Sequence, residues 1–258
     1  YGNDRSFTYS CWFKRAQIYG QNSNSGLSKQ YLIGSQGDTS GSFIRFNNDN
    51  GADTLRILGP NTDLVTEANF RDTIGWYHVV VAVDTTLTTA ADRVKLYVNG
   101  VVSDSTNLPS QAYLDNDAPI VMGAVFESGT QSFNLLDEVR LWNRALITEE
   151  IENLMTTELY GDEQGLVSYW NFNEGEGNLI NDLTINSNSG QIYGSSWSED
   201  SAPLMQNIMG VSVSHVEASI YAGVAGDTIQ VPVNVDLQDV DLYSVGIRLD
   251  GFQNHLQF

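Results

Sequence analysis

From residue 6 to about residue 145 the chain keeps to a two-residue hydrophobic period. Short runs rich in Val, Ile, Tyr and Phe alternate with clusters of Gly, Asn, Asp and Ser, and nothing before Thr148 carries a helical repeat. Phe7, Tyr9, Cys11 and Phe13 share one face of the first run, while Ser10, Trp12 and Lys14 share the other. Further strands are predicted around 31–33, 43–46, 55–58 and 120–122. The run 76–84 is apolar on both faces. Tyr77, Val79, Val81 and Val83 lie on one side and Trp76, His78, Val80 and Ala82 on the other, which marks a central strand covered twice. In 94–102 the pair Asn99-Gly100 sits between apolar runs. A type I′ hairpin turn needs φ > 0 at both positions, and Asn-Gly supplies it at least cost. A chain built this way folds as a sandwich or jelly roll, not as alternating strands and helices.

The one departure from this rhythm comes at 133–155. Val139 and Leu141 alternate with Glu138 and Arg140, as in a half-buried strand. Asn143 to Leu146 turn the chain. Thr148 is then the expected N-cap of a short helix, with Glu149 and Glu150 in the first turn, where the helix dipole favours negative charge. Ile151, Leu154 and Met155 make a narrow apolar stripe. After it, 165–172 reads as another strand and 191–193 as a last short one, with the polar loop 186–190 between them. The stretch 198–203 is small and acidic with a proline, and reads as a linker. Strand alternation restarts beyond Met209, notably Ile229, Val231, Val233 and Val235, with Pro232 suiting an edge strand. Three strands in so short a tail cannot close a sandwich of about 100 residues. The expectation is one domain over 1–205 and the truncated opening of a second β domain over 206–258. The chain opens on Tyr1, so we read it as a piece of a longer protein.

Charge narrows the range of partners. The sequence holds 32 acidic and 12 basic residues, a formal net charge of −20. Such a surface repels phosphate backbones, so nucleic acid is not an expected partner. No apolar run approaches the roughly 20 residues of a membrane helix, so membrane insertion is not expected either. The single cysteine, Cys11, excludes an internal disulfide and a multi-cysteine zinc site. Its place in a strand reads as a small buried hydrophobe.

Four segments carry a family resemblance. Residues 75–84, GWYHVVVAVD, resemble a "W-x-H-V-A-V" strand, and residues 94–100, VKLYVNG, an "LYVNG" hairpin. Residues 137–146, DEVRLWNRAL, followed by Glu150-Ile151, resemble a "DEVRIWNRALS…EI" closure. Residues 165–194 resemble a "GLVAYWNFNEGSG…D.SGNGN.G" segment. Together, over roughly residues 1–200, these resemble the laminin-G-like, concanavalin A-like lectin/glucanase jelly-roll family. The family's opening "FDG…DYV" strand is missing, which implies an exposed strand edge. The tail, through 226–233 (GDTIQVPV), is similar to the start of a cohesin-like or immunoglobulin-like domain.

The resemblance implies an all-β jelly roll with one short helix and a role in holding ligands. It also implies calcium, a hard cation that takes six to eight oxygens. In calcium-dependent pentraxin relatives the ligands come from the loop after an early strand and the loop before the closing strand. The matching positions are Asp38 and Glu127, with Glu174 and Asp182 as alternatives. Trp12, Trp76, Trp142 and Trp170 lie in strand patterns and read as core. Tyr193 and Trp197 sit near a loop end, freer to stack on a sugar ring.

Catalytic patterns are missing. No Glu-x-Asp-x-x-Glu run of a jelly-roll glucanase occurs, and Asp137 and Glu138, being adjacent, are expected on opposite faces. There is no Gly-x-Ser-x-Gly elbow and no zinc-type His pair, and His78 reads as a structural strand residue. No catalytic residue is assigned. The expectation is a carbohydrate-binding or adhesion module of a secreted or cell-surface protein, with a glycan or an extracellular protein as partner. A structural spacer is the alternative, and a glycoside hydrolase the third reading.

Overall fold

The computed structural model describes residues 5–16, 18, 29–35, 43–49, 52–59, 62–106, 120–123 and 134–204. Asp38, Glu127 and the predicted second domain at 206–258 lie outside the described residues. The strands are β1 (Ser6–Arg15), β2 (Lys29–Ser35), β3 (Phe43–Asp49), β4 (Ala52–Gly59), β5 (Thr62–Val65), β6 (Tyr77–Asp84) and β7 (Val94–Val98). They continue with β8 (Val101–Thr106), β9 (Ile120–Met122), β10 (Asn134–Trp142), β11 (Leu166–Trp170), β12 (Leu179–Ile180) and β13 (Gly190–Gln191). One helix, α1 (Thr148–Leu154), follows β10.

Two antiparallel sheets carry the fold, one of six strands in the order β11-β10-β1-β6-β7-β8 and one of five in the order β5-β4-β3-β2-β9. The place beside β10 is filled from late in the chain, by β11. Between the sheets Phe7, Tyr9, Cys11 and Phe13 of β1 meet Leu32, Ile44, Phe46, Leu55 and Ile57 of the opposite sheet. Val79, Val81 and Val83 of β6 complete the layer. Burial pushes the Cys11 thiol up to about 12, in keeping with its role as a small hydrophobe.

The outer face of the six-stranded sheet is covered as well. Ile151 and Leu154 of α1 pack with Leu146 on Val80, Ala82, Tyr97, Trp142 and Tyr169. The two-faced apolarity of β6 thus reflects two cores, one on each side of the same strand. The β7–β8 hairpin turns through Asn99 and Gly100 at φ 51° and 79°, the left-handed pair that a type I′ turn requires.

The helix begins one residue earlier than expected. Its N-cap is Ile147, with extended backbone, and Thr148 is the first helical residue. The cap works in reverse: Glu150 Oε2 accepts the Ile147 amide at 3.0 Å, while the same carboxylate takes two hydrogen bonds from Arg144. That double use of Glu150 outweighs the hydroxyl preference of an N-cap.

A bulge in β10 overturns the expected placement of Asp137 and Glu138. The register with β1 runs Ser10 to Arg140 and then Trp12 to Asp137, so two residues of β10 stand opposite Cys11. Glu138 takes φ 53°. Leu136 and Val139 both face the inter-sheet core. Asp137, opposite Trp12, and Glu138, bonded to Tyr169, therefore both lie on the outer face.

The stretch predicted as a linker is a docked strap. Asp200 accepts hydrogen bonds from Lys14 Nζ at 2.6 Å and Trp76 Nε1 at 3.0 Å, and the Ala202 amide donates to Asp137 Oδ2 at 2.8 Å. At the inter-sheet end of β1, Arg15 is 1% exposed and pairs with the equally buried Asp53 of β4 at 3.0 Å, tying the two sheets together. No helix among the described residues is long and apolar enough to cross a membrane.

Candidate functional site

Residues 159–197 build a lobe around β11 that side-chain hydrogen bonds fold onto the strand. Asp182 is its hub. Oδ1 accepts the amides of Tyr169 and Thr184, and Oδ2 accepts the Asn188 amide and the Thr184 hydroxyl, all within 3.0 Å. These bonds fold the loop 182–189 back onto β11, where Asn188 Nδ2 donates to Ser168 Oγ and the Asn188 carbonyl accepts from Trp170 Nε1. The loose Asn/Ser segment of the sequence is a built loop.

Of the expected calcium ligands, Glu174 and Asp182 lie among the described residues, and both are engaged by the lobe itself. Asp182 has both oxygens committed to N–H and O–H donors. Glu174 Oε1 accepts the amide and side chain of Asn181, which leaves Oε2 as its one unengaged oxygen. A single oxygen does not meet the six to eight that calcium takes. Among the described residues no three His, Cys, Asp or Glu side chains stand together as a metal site. Asp38 and Glu127 lie outside the described residues.

The aromatic candidates do meet on one element. β12 and β13 pair with Leu179 opposite Gln191 and Ile180 opposite Gly190, and the Ile192 amide donates to the Asn178 carbonyl. Ile180 packs down on the inter-sheet core. Leu179, Gln191 and Tyr193 therefore share the upper face. Tyr193 is 79% exposed and its hydroxyl donates to Gln191 Oε1 at 3.0 Å; Leu179 is 57% exposed. Trp197 is half-buried, with Nε1 donating to the Gly177 carbonyl at 2.9 Å, so it closes the end of the ribbon. Leu179 and Gln191 were not foreseen. Their signal was the adjacent pair Leu179-Ile180: in a strand two apolar neighbours cannot both point inward.

The other tryptophans divide as expected, with one exception. Trp12, Trp142 and Trp170 are buried, while Trp76 is half-buried just before β6 and held by Asp200.

A second polar cluster lies on the outer face of the six-stranded sheet. Arg140, wholly buried, donates to the Leu154 and Thr157 carbonyls and to Glu138 Oε2, which also accepts the Tyr169 hydroxyl. Burial pushes the Glu138 carboxyl up, against the opposing pull of Arg140 and the Tyr169 hydroxyl. Asp137 is raised too, burial again outweighing the amides of Ala202 and Glu138. Adjacent carboxyls with raised affinity for protons resemble an acid/base pair. Glu138 is only 2% exposed beneath α1, however, and Asp137 is covered by the strap, so neither carboxyl is open to solvent. His78 is 1% exposed, its ring tilted against Trp12 at 5.2 Å. Neither ring nitrogen has a partner among the described residues, and burial pushes its pKa down to about 3.

Comparison with known proteins bears on the whole arrangement. No curated protein matches the sequence. A candidate carbohydrate-binding protein from Bacteroides ovatus superposes with a TM-score of 0.57 at 17% identity, over 72% of this chain and 51% of that one. The chain thus spans about half the length of that protein. Domain 4 of an extracellular arabinanase from Geobacillus stearothermophilus, solved with arabinotriose, gives 0.41 at 17% identity over 58% of this chain and 66% of its own. A pentraxin from Limulus polyphemus gives 0.41 at 15% identity over 57% and 68%. At such identity the first likeness supports the fold and nothing finer. The laminin-G model described as the concanavalin A-like lectin/glucanases superfamily matches residues 2–152, more than half of the sequence and the whole span from β1 through the first turn of α1. With two antiparallel sheets, their shared core and the covering helix in place, the chain belongs to the concanavalin A-like lectin/glucanase superfamily.

Proposed function

We propose that residues 1–205 are a non-catalytic carbohydrate-binding module of a larger secreted or cell-surface protein, and that the β12–β13 ribbon holds the sugar. The observation that carries this is the exposed Tyr193 ring, fixed by its bond to Gln191 and flanked by the exposed Leu179. A sugar ring has an apolar C–H face and a rim of hydroxyls. Tyr193 and Leu179 match the first, and the Gln191 amide matches the second. The ribbon is anchored through Ile180 and Trp197, so little ordering entropy is lost on binding. The Bacteroides ovatus protein of the same fold, itself a candidate carbohydrate binder, adds support. The non-catalytic part rests on the inaccessibility of Asp137 and Glu138.

The calcium part of the reading rests on Asp38 and Glu127. The test is a glycan array of the full chain, in calcium and again in chelator, beside Tyr193→Ala. We expect retention by the parent and at least about a tenfold loss in the variant, on the order of 1.4 kcal/mol. Loss in chelator supports a calcium-dependent lectin and directs mutagenesis to Asp38 and Glu127, and retention in chelator removes the metal. If the parent retains no glycan in either buffer, the reading fails and the spacer role takes its place.

A further inference from the structure

The proposed sugar platform stands in a field of one sign. Between residues 145 and 204 the sequence has eleven Asp and Glu residues and no Lys, Arg or His. Recognition of a carboxylate or sulfate on a sugar relies on Arg or Lys, best as a bidentate guanidinium. The cations bonded to this segment are already taken, Arg140 by the Leu154 and Thr157 carbonyls and Glu138. Arg144 gives both arms to Glu150, and Lys14 pairs with Asp200. Glu174 and Glu176 precede β12, and Glu199 follows Trp197 by two positions. Among the described residues none of these three forms an ion pair.

From this charge distribution we infer that the ligand is a glycan without acidic groups, neutral or amino-bearing, and that uronate, sulfated and sialylated glycans are rejected. The inference rests on the binding-module reading and adds the substrate class to it. An anionic sugar stacked on Tyr193 would bring its charge onto an exposed lobe whose own charges are all acidic, a repulsion that low salt leaves unscreened. A neutral sugar meets only the ring, the aliphatic Leu179 and the Gln191 amide. The same field makes acidic ligands sensitive to salt and leaves neutral ones nearly indifferent to it. The Debye length falls from ~30 Å at about 10 mM to ~3 Å at about 1 M, so repulsion is screened while stacking is not.

The test is retention of the full chain on immobilised neutral, amino-bearing, uronate, sulfated and sialylated oligosaccharides at those two salt concentrations. We expect retention by neutral or amino-bearing glycans, with the neutral class changing less than about twofold between the two salts. Glu176→Lys/Glu199→Lys should raise retention of acidic glycans at low salt, by several-fold, while leaving the neutral class in place. Retention of an acidic glycan by the parent chain at low salt overturns the inference and leaves the binding reading standing. An unchanged acidic-glycan signal in the double variant also counts against it. Retention of no glycan at all takes down the binding reading itself.

Discussion

His78 and Asp182 show how differently two buried polar side chains can behave in one sandwich. His78 is held neutral against Trp12, with its pKa pushed from 6.5 to about 3 by burial and the nearby Arg140. The unfolded chain therefore binds more protons than the folded one between those two values. Stability from this residue is fully present above about pH 6.5 and is lost as the pH falls towards 3. We expect His78→Phe to remove that loss. In urea titrations at neutral pH and at pH about 5, the parent-to-variant difference should shift in favour of the variant at the lower pH. Glu138, raised and so of opposite sign, is common to both chains and cancels. No change in that difference would mean that His78 already finds a proton acceptor in the fold. Asp182 is the reverse case, a carboxylate saturated by four donors. Asp182→Ala strands the amides of Tyr169, Thr184 and Asn188, and should cost about 2–4 kcal/mol in urea unfolding at one or more kcal/mol per orphaned donor.

At the scale of elements, α1 is held by its C-terminal end as much as by its apolar stripe. Arg140 reaches up from β10 to the Leu154 carbonyl, one of those a helix end leaves unpaired, and to the Thr157 carbonyl just beyond the helix. Arg140→Ala should lower stability by about 3–5 kcal/mol, since it also strands the buried Glu138; thermal unfolding with and without Glu138→Gln separates the two losses. The sequence made some of this legible. The Asn99-Gly100 turn and the doubly buried β6 were plain because backbone sign and side-chain period are local properties. The N-cap at Ile147 was not, because the preference for Thr148 was overridden by Glu150 bridging Arg144 and the Ile147 amide. The β10 bulge was hidden because its left-handed residue is Glu138 rather than a glycine. A short strand was expected at 191–193, beside the observed β13, but β12 has only two residues, too few to display a period, and the proposed sugar platform depends on it. Tyr193 and Trp197 could be named as candidates, but the face that Tyr193 shares with Leu179 and Gln191 could not.

For the molecule as a whole, the strap at 198–204 changes what the six-stranded sheet presents to its surroundings. Its partners Asp137, Trp76 and Lys14 lie 65 to 186 positions away in the chain, which is why a short acidic stretch read as a linker. Asp200→Ala removes the acceptor of both Lys14 and Trp76. As a half-exposed pair this should cost no more than about 1 kcal/mol of global stability. It should nonetheless speed amide exchange at Ala202 and red-shift the Trp76 emission as its indole meets water; unchanged exchange would mean that Asp137 alone holds the strap. The chain continues past the strap, so tension on the later residues reaches the sandwich through it. The load would meet the Ala202–Asp137 bond first and the Asp200 contacts next, parting them one at a time. Seven residues drawn straight span at most roughly 24 Å, and the length released is that span less the distance the docked strap already covers, so the strap would act as a short mechanical fuse that yields and re-forms while the proposed sugar platform keeps its shape.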